Sequence, residues 1–505
     1  MTDQHQREGS TVEPFTTSRA CFLELVDFAA GDTAAGLEHA ALEQELQSRG
    51  RELLRQLFQD HLDLRADREQ RRAAVTDVDG TDHRRVEANH DRALATVFGQ
   101  VTVRRLAYRA PATTNLYPAD AALNLPAEKH SHGLRRLAAT EAARGSFEET
   151  VAAIDRGSGA RVGKRQVEAL TVRAAADFND FYDNRRPPAV DQAQLLVMQV
   201  DGKGIVMRPE ALRPATAKAA DQATGKLGSR LSKGEKRYRK RIAEVGAVHD
   251  ATPAVRTPAD VLPATQAERA AAGDGPTATG KWLTASIVDD AATVVASVFD
   301  EATRRDPDHR RTWVALVDGN NHQIDRIHAE AHTRGVTVHV LCDFVHVIEY
   351  LWTATWSFHR EGDPAAEAWV HDKARSVLAG NARTVAATIR RTASTRRLSP
   401  SVRKGADQAA AYLTNKAAYL DYPTALAGGW PIATGVIEGA CRHLVADRLD
   451  ITGARWGLDG AEAVLQLRAL RSNGDFNDYW TYHLTRERHR VHATRYANKH
   501  IPQAA

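Results

Sequence analysis

Cysteine is scarce in this chain: 505 residues hold three, Cys21, Cys342 and Cys441, far apart and odd in number. That excludes a disulfide framework and the paired spacing of a zinc ribbon, and it suits a reducing cytoplasm. Long apolar runs are missing too. No stretch approaches the roughly eighteen uninterrupted apolar residues of a membrane span. The N-terminal MTDQHQREGSTVEPF lacks the apolar segment of a secretion signal. A cytoplasmic protein with no membrane partner is therefore expected. Serine-hydrolase, ATPase and dinucleotide readings lose support, because no G-x-S-x-G, Walker A or glycine fingerprint occurs. Neither sign of charge dominates: 68 Lys and Arg face 64 Asp and Glu, for a net charge of +4. That balance permits an anionic partner without demanding one. No internal repeat is evident.

What is present divides the chain. Residues 1–18 read as a disordered tail, and 19–186 as a mainly helical region. Leu37, Leu42, Leu46, Leu53, Leu54, Leu57 and Phe58 recur at helical spacing. ATVFGQVTVRRLAYRAP, from Ala95 to Pro111, alternates like a hairpin with Arg104, Arg105 and Arg109 on its solvent side. FEETVAAIDRGSGARVGKRQVEALTVRAAADF reads as helix, glycine turn, helix, the second starting near Val162 with Arg161, Lys164 and Arg165 at its beginning. A helix-turn-helix would offer those side chains to DNA, whereas an ordinary helical hairpin would leave them solvated.

Pro187-Pro188 marks a linker. Beyond it, strands are predicted at 195–201, 204–208, 242–250, 312–317 and 336–344. Helices are predicted near 291–304, 321–334 and 345–358. Hairpin-linked strands followed by alternating helices and strands fit an α/β ribonuclease-H-like core over 190–362. Residues 209–241 and 251–282 read as loops, 363–428 as an all-helical insertion, 429–480 as the returning core, and 481–505 as a frayed basic tail. From Lys226 to Arg241 eight basic residues, among them Lys236, Arg237, Arg239, Lys240 and Arg241, face one acid, Glu235. Such a stretch is a solvated loop unless phosphates lie nearby.

Asp201 closes LLVMQVDGKG and Asp318 closes TWVALVDGN, both buried-strand patterns. An Asp-Gly after a strand is ordinarily a turn, and Asp79, in a polar stretch, reads as that. Two such aspartates on neighbouring parallel strands, with a downstream helical glutamate, suit magnesium and a phosphodiester. The pattern therefore points to a DNA strand-transfer enzyme. Residue pattern alone leaves the third acid open between Glu438 and Glu349. Asp343, His346 and Glu349 share one helical face and would make a metal group themselves. The plainer readings are an N-cap for Asp343 and a hydrogen-bonded core histidine for His346.

The strings VDGKGIVMRPE, RLSKGEKRYRKRIAEVGAVHD, HRRTWVALVDGNNHQ, CDFVHVIEYLW and PIATGVIEGACRHLVADRLDITGARW resemble the Kra-type insertion-sequence transposases of bacteria, which are similar to the Mutator-like DDE transposases. The resemblance runs over about residues 90–480. It implies a catalytic and metal-holding triad of Asp201, Asp318 and Glu438, served by two Mg²⁺ ions with Mn²⁺ able to substitute. It also implies an Asp-x-x-His signature at Asp343 and His346. DNA would be the partner, as terminal inverted repeats and as target, handled by a homo-oligomer at the nucleoid. Arg442 would clamp a phosphate. Trp456 would stack on a base or, more plainly, fill the core. A DNA-binding relative without activity and a nuclease without strand joining are the rival expectations.

Overall fold

In the computed structural model the described residues are 13–186, 191, 193–222, 239–451 and 453–502. They form two compact units, Met1–Asp183 with Phe476–Ala505, and Asn184–Asp475. None of the described helices is long and apolar enough to cross a membrane.

The first unit opens with α1 (Thr16–Ala30), the short α2 (Asp32–Ala35) and α3 (His39–Asp67). Strands β1 (Val75–Thr76) and β2 (Asp82–His83) flank a turn in which Asp77 accepts from the Asp79 amide, as the turn reading of Asp79 expects. The predicted hairpin is larger than its sequence signal: β3 (Arg85–Thr96) pairs antiparallel with β4 (Gly99–Arg109). Leu62 of α3 packs with Leu94, Val101 and Val103 of that hairpin. After α4 (Pro118–Ala122) and α5 (His132–Ala142) come α6 (Phe147–Ser158) and α7 (Lys164–Ala175). Helix α6 starts in a capping box of Ser146 and Glu149 and stops at Gly159, whose φ is 67°. Helix α7 starts at Lys164, near Val162 as expected. The pair is thus a helical hairpin; its geometry alone assigns it no groove.

The C-terminal tail corrects an expectation. Residues Phe476–Glu487 form a helix within the first unit. His483 is fully buried, its Nδ1 2.7 Å from Asp177 Oδ2, and its Nε2 meets Arg135 Nη1 at 3.0 Å. Glu487 and Glu128 hold the fully buried Arg135 from two sides. Within the tail His483, Glu487 and Arg490 join this network and His492 is buried, whereas Arg486, Arg488 and His489 are exposed on helical turns rather than on a frayed end.

The second unit follows α8 (Phe178–Asn184). Its sheet comprises β5 (Leu195–Val206), β6 (Lys240–Ala251), β7 (Ala278–Ser286), β8 (Trp313–Val317) and β9 (Val338–Cys342). Strand order is β7-β6-β5-β8-β9, antiparallel from β7 to β5 and parallel from β5 to β9. Between β5 and β6 lies α9 (Pro214–Gln222), in the region read as a loop; Lys236 and Arg237 lie outside the described residues. Helices α10 (Pro258–Val261) and α11 (Gln266–Ala271) precede β7, which replaces part of the irregular stretch expected over 251–282. Helix α12 (Ala291–Arg305) covers one sheet face with buried Val294, Val295, Val298 and Phe299. Helices α13 (Asn321–Arg334) and α14 (Phe344–Thr355) follow β8 and β9. A mixed sheet flanked by helices in this order is consistent with a ribonuclease-H-like arrangement.

One correction bears on the site. Asp201 does not end a strand: β5 runs on through Gly202, paired with β6 to Val206. Gly202 is extended, and its missing side chain leaves room for Ile242, whose Cγ2 would stand 2.8 Å from an added Cβ. Asp318 does precede a turn, since Gly319 has φ 97°.

The insertion is all-helical, with α15 (Pro364–Leu378), α16 (Ala382–Thr395), α17 (Pro400–Asn415) and α18 (Tyr422–Ala427). The chain then returns through α19 (Gly435–Ala440), a π-helical turn at Cys441–Ala446, α20 (Asp447–Leu449) and α21 (Leu458–Ser472).

Candidate metal centre

Register brings three aspartates to one end of the sheet. Gln199 pairs with Leu316, the last pair between β5 and β8, and Val317 pairs with Cys342, the last between β8 and β9. Asp201 and Asp318 each lie two residues beyond the first of these pairs, and Asp318 and Asp343 one residue beyond the second. The Asp343 amide donates to the Val317 carbonyl at 2.8 Å, so that register holds past the end of β9. This is the carboxyl end of the parallel strands, where open α/β sheets bind ligands.

Helix α19 is fastened over the same end. The Ile437 amide donates to buried Gln199 Oε1 at 2.8 Å, which satisfies one of the open N–H groups of the helix start. The Cys441 thiol donates to Asp201 Oδ2 at 3.3 Å. Burial, with Asp201 beside it, pushes that thiol far up, so it stays protonated. Glu438 is exposed on this helix.

Asp343 is fully buried at the start of α14. It is the N-cap expected from sequence, accepting from the Val345 amide at 2.9 Å. Its other oxygen meets His346 Nδ1 at 3.0 Å and accepts from Thr434 Oγ1 at 2.6 Å. Burial would raise its pKa, but these bonds outweigh burial and keep it below the usual carboxylate range. The same contact raises His346 to about 9, against a smaller opposing effect of burial. Thr434 Oγ1 also lies 3.2 Å from Glu438 Oε1, so it links the two carboxylates.

Ligand atoms of Asp343, His346 and Glu438 all lie within 4.8 Å of one another. Two carboxylates and an imidazole, with Nε2 of His346 left for a ligand role, fit a single divalent cation. Glu438 thus takes the place that Glu349 had as the alternative partner of Asp343 and His346; Glu349 is exposed one turn farther along α14. Asp201 and Asp318, both half-buried, lie at the same sheet end without joining this group as ligands in the described arrangement.

The remaining sequence candidates scatter. Arg442 is exposed in the π-helical turn, 3.8 Å from Asp447. Trp456 is a core residue, 6 % exposed, its Nε1 bonded to the Leu449 carbonyl. Lys240 pairs with Asp450 at 3.4 Å, and Arg241 donates to the carbonyl of Ile287 at 2.7 Å. Arg239 is half-buried beside them. In the first unit Arg161 and Arg165 are exposed, and Lys164 pairs with Glu148 at 2.6 Å.

Sequence reasoning missed Gln199, Cys441 and Thr434. Gln199 left a signal, a lone amide inside the apolar run LLVMQV. Thr434 left none, since its bond to Asp343 spans 91 positions. No protein-family model matches the chain, and no curated protein matches it.

Proposed function

We propose that this chain is a DNA strand-transfer enzyme of the transposase kind, similar to the Kra-type and Mutator-like DDE enzymes, with Asp201, Asp318 and Glu438 as its catalytic carboxylates. The observation that carries the reading is the meeting of two elements at one sheet end. Asp201 and Asp318 each lie two residues beyond Gln199–Leu316, the last pair between two parallel strands, and Gln199 fastens the Glu438 helix at that end.

In this reading Asp201, Asp318 and Glu438 hold divalent magnesium, with manganese able to substitute, and the Asp343–His346 pair supports Glu438 through Thr434. The metal supplies charge neutralisation at the phosphate and a more acidic attacking hydroxyl. Gln199 and Cys441 fix the approach of α19 to β5, and Thr434 sets the distance between the Asp343 and Glu438 carboxylates. Terminal repeats would be read by the α6–α7 hairpin with Arg161, Lys164 and Arg165. Arg239 and Lys240 would meet DNA phosphates. Water attacks first and frees a 3′-hydroxyl, which then attacks target DNA.

A second reading has a specific observation in its favour. The one three-residue group among the described residues includes an imidazole and accommodates a single ion, which suits a metal-dependent nuclease that does not join strands. The experiment is incubation of the full chain with DNA carrying its own gene and flanks, with Mg²⁺ or Mn²⁺, beside an Asp318→Asn protein. Metal-dependent nicks at paired inverted repeats with joined products, lost in the variant, support the transposase. Nicks without joining favour the nuclease. Specific binding without cleavage leaves a DNA-binding relative, and Asp318→Asn joining at the wild-type rate removes the triad.

A further inference from the structure

Within the first unit, the end of α3, the strand β4 and the short helix α4 leave a cavity between them. It holds about 200 Å³. Its apolar walls include Leu62 of α3, Val103 and Tyr108 of β4 and Pro118 of α4, all buried. A cavity of about 150 Å³ accepts one six-membered ring. This one therefore takes a ring with its substituents and is too small for a long acyl chain.

Polar side chains line the same space. Glu69 is half-buried, and its Oε2 accepts from the Leu106 amide at 2.9 Å. Its Oε1 has no partner among the described residues and is left to accept an N–H from whatever fills the cavity. Exposed Arg65 and Arg68 and half-buried Arg72 also line it, and none of the three has an ion-pair partner among the described residues. The Arg72 amide donates to the Tyr108 hydroxyl at 2.9 Å, which ties the chain at that arginine to the cavity wall. Arg104, by contrast, is engaged by Asp91 at 3.3 Å.

Each feature asks for one part of a ligand. The volume asks for a single ring, and Glu69 asks for an N–H on it. Three unpaired guanidiniums ask for more negative charge than one carboxylate carries, and their planar forks match phosphate oxygens. The positive charge is also local. Residues 60–72 carry four arginines and four acids, so the segment is neutral as a whole. It offers partners to one small dianion without the long-range pull that gathers a polyanionic strand.

We propose that this cavity binds a nucleoside monophosphate, with a pyrimidine-sized base inside against Glu69 and the phosphate held by Arg65, Arg68 and Arg72. The site lies wholly in the first unit and does not depend on the chemistry at the sheet end.

The test is calorimetric titration of the full chain with cytidine monophosphate at about 0.15 M salt. No divalent metal is added, so the sheet-end carboxylates recruit no phosphate. One nucleotide per chain is expected, with a Kd below about 1 mM. Cytidine, which lacks the phosphate, and ribose phosphate, which lacks the base, should each bind about tenfold or more weakly. An Arg65→Gln/Arg68→Gln double variant changes only exposed positions. It should weaken the nucleotide about tenfold or more while leaving cytidine binding and the melting temperature unchanged. Ala122→Leu, which puts a larger side chain on the cavity wall, should weaken nucleotide and cytidine alike. No nucleotide binding at about 1 mM overturns the proposal. So does binding no tighter than that of ribose phosphate, or binding that either variant leaves within about threefold of wild type. Binding of an oligocytidylate without binding of the mononucleotide overturns it in favour of a strand.

Discussion

Thr434 is the cheapest place to challenge the metal centre, because it touches neither DNA nor the metal in the reading above. Its hydroxyl has one proton and two carboxylates to serve, Asp343 at 2.6 Å and Glu438 at 3.2 Å. The shorter contact takes the proton. Thr434→Val keeps the shape and removes that bond, leaving buried Asp343 with the Val345 amide and His346. A hydrogen bond to a charged group contributes about 1.5–3 kcal/mol, and groups that orient metal ligands typically change affinity about 10–100-fold. The two scales agree, at about 1.4 kcal/mol per tenfold. Calorimetric titration of the full chain with Mn²⁺ should give one ion at this centre, weakened about 10–100-fold by Thr434→Val. Asp343→Asn should weaken it at least as much, and Thr434→Ser, which keeps the hydroxyl, should bind like wild type. Wild-type protein that is folded yet binds no Mn²⁺, or a Thr434→Val protein within about threefold of wild type, refutes the assignment.

Three further outcomes are expected. Burial holds His132, in the first unit, and His249, in the second, down to about 4. Between that value and an unfolded pKa of about 6.5 the unfolded chain binds more protons, so stability falls as pH drops through this window, by about 2–3 kcal/mol per histidine near pH 4.5. Equal melting temperatures at pH 7 and pH 4.5 would contradict this. Arg135→Met leaves Glu128 and Glu487 without their buried partner and should cost the first unit about 3–5 kcal/mol in urea unfolding. A loss below about 1 kcal/mol would show the network to be dispensable. Gly405→Ala would set a methyl group onto the Thr353 carbonyl where α17 crosses α14, for a loss of about 1–3 kcal/mol. Gly439→Ala, with open space around it, serves as the neutral comparison in the same melts.

The parts of the fold legible in the sequence were those that bury both faces of an element. LLVMQV and WVALV admit few conformations other than central strands, and β5 and β8 are where those runs lie. Strand β7 was hidden because its first half, Ala278–Lys281, is polar or small and only its second half is buried. The end of β5 was misread because Asp-Gly ordinarily signals a turn. Here the glycine instead admits a side chain from the paired strand. Asp343 as a helix cap was readable, since capping is a local matter. Its ties to Thr434 and Glu438 were not, because nothing local records a contact made across the insertion. The C-terminal histidines misled for the same reason: the partner of His483 is Asp177, 306 positions away.

The first unit is assembled from both sides of the second: residues up to Asp183 and from Phe476 onward share one set of contacts. During synthesis, Arg135 leaves the ribosome long before His483 and Glu487 exist. At about 5–20 residues per second the intervening unit imposes a wait of roughly 15–60 s. For that interval a buried guanidinium lacks two of its three side-chain partners, while the sheet unit, continuous in the chain, is free to fold first. Nascent chains arrested at residue 475 should therefore display a protease-resistant sheet beside a cleavable N-terminal segment, and release of the last thirty residues should close it.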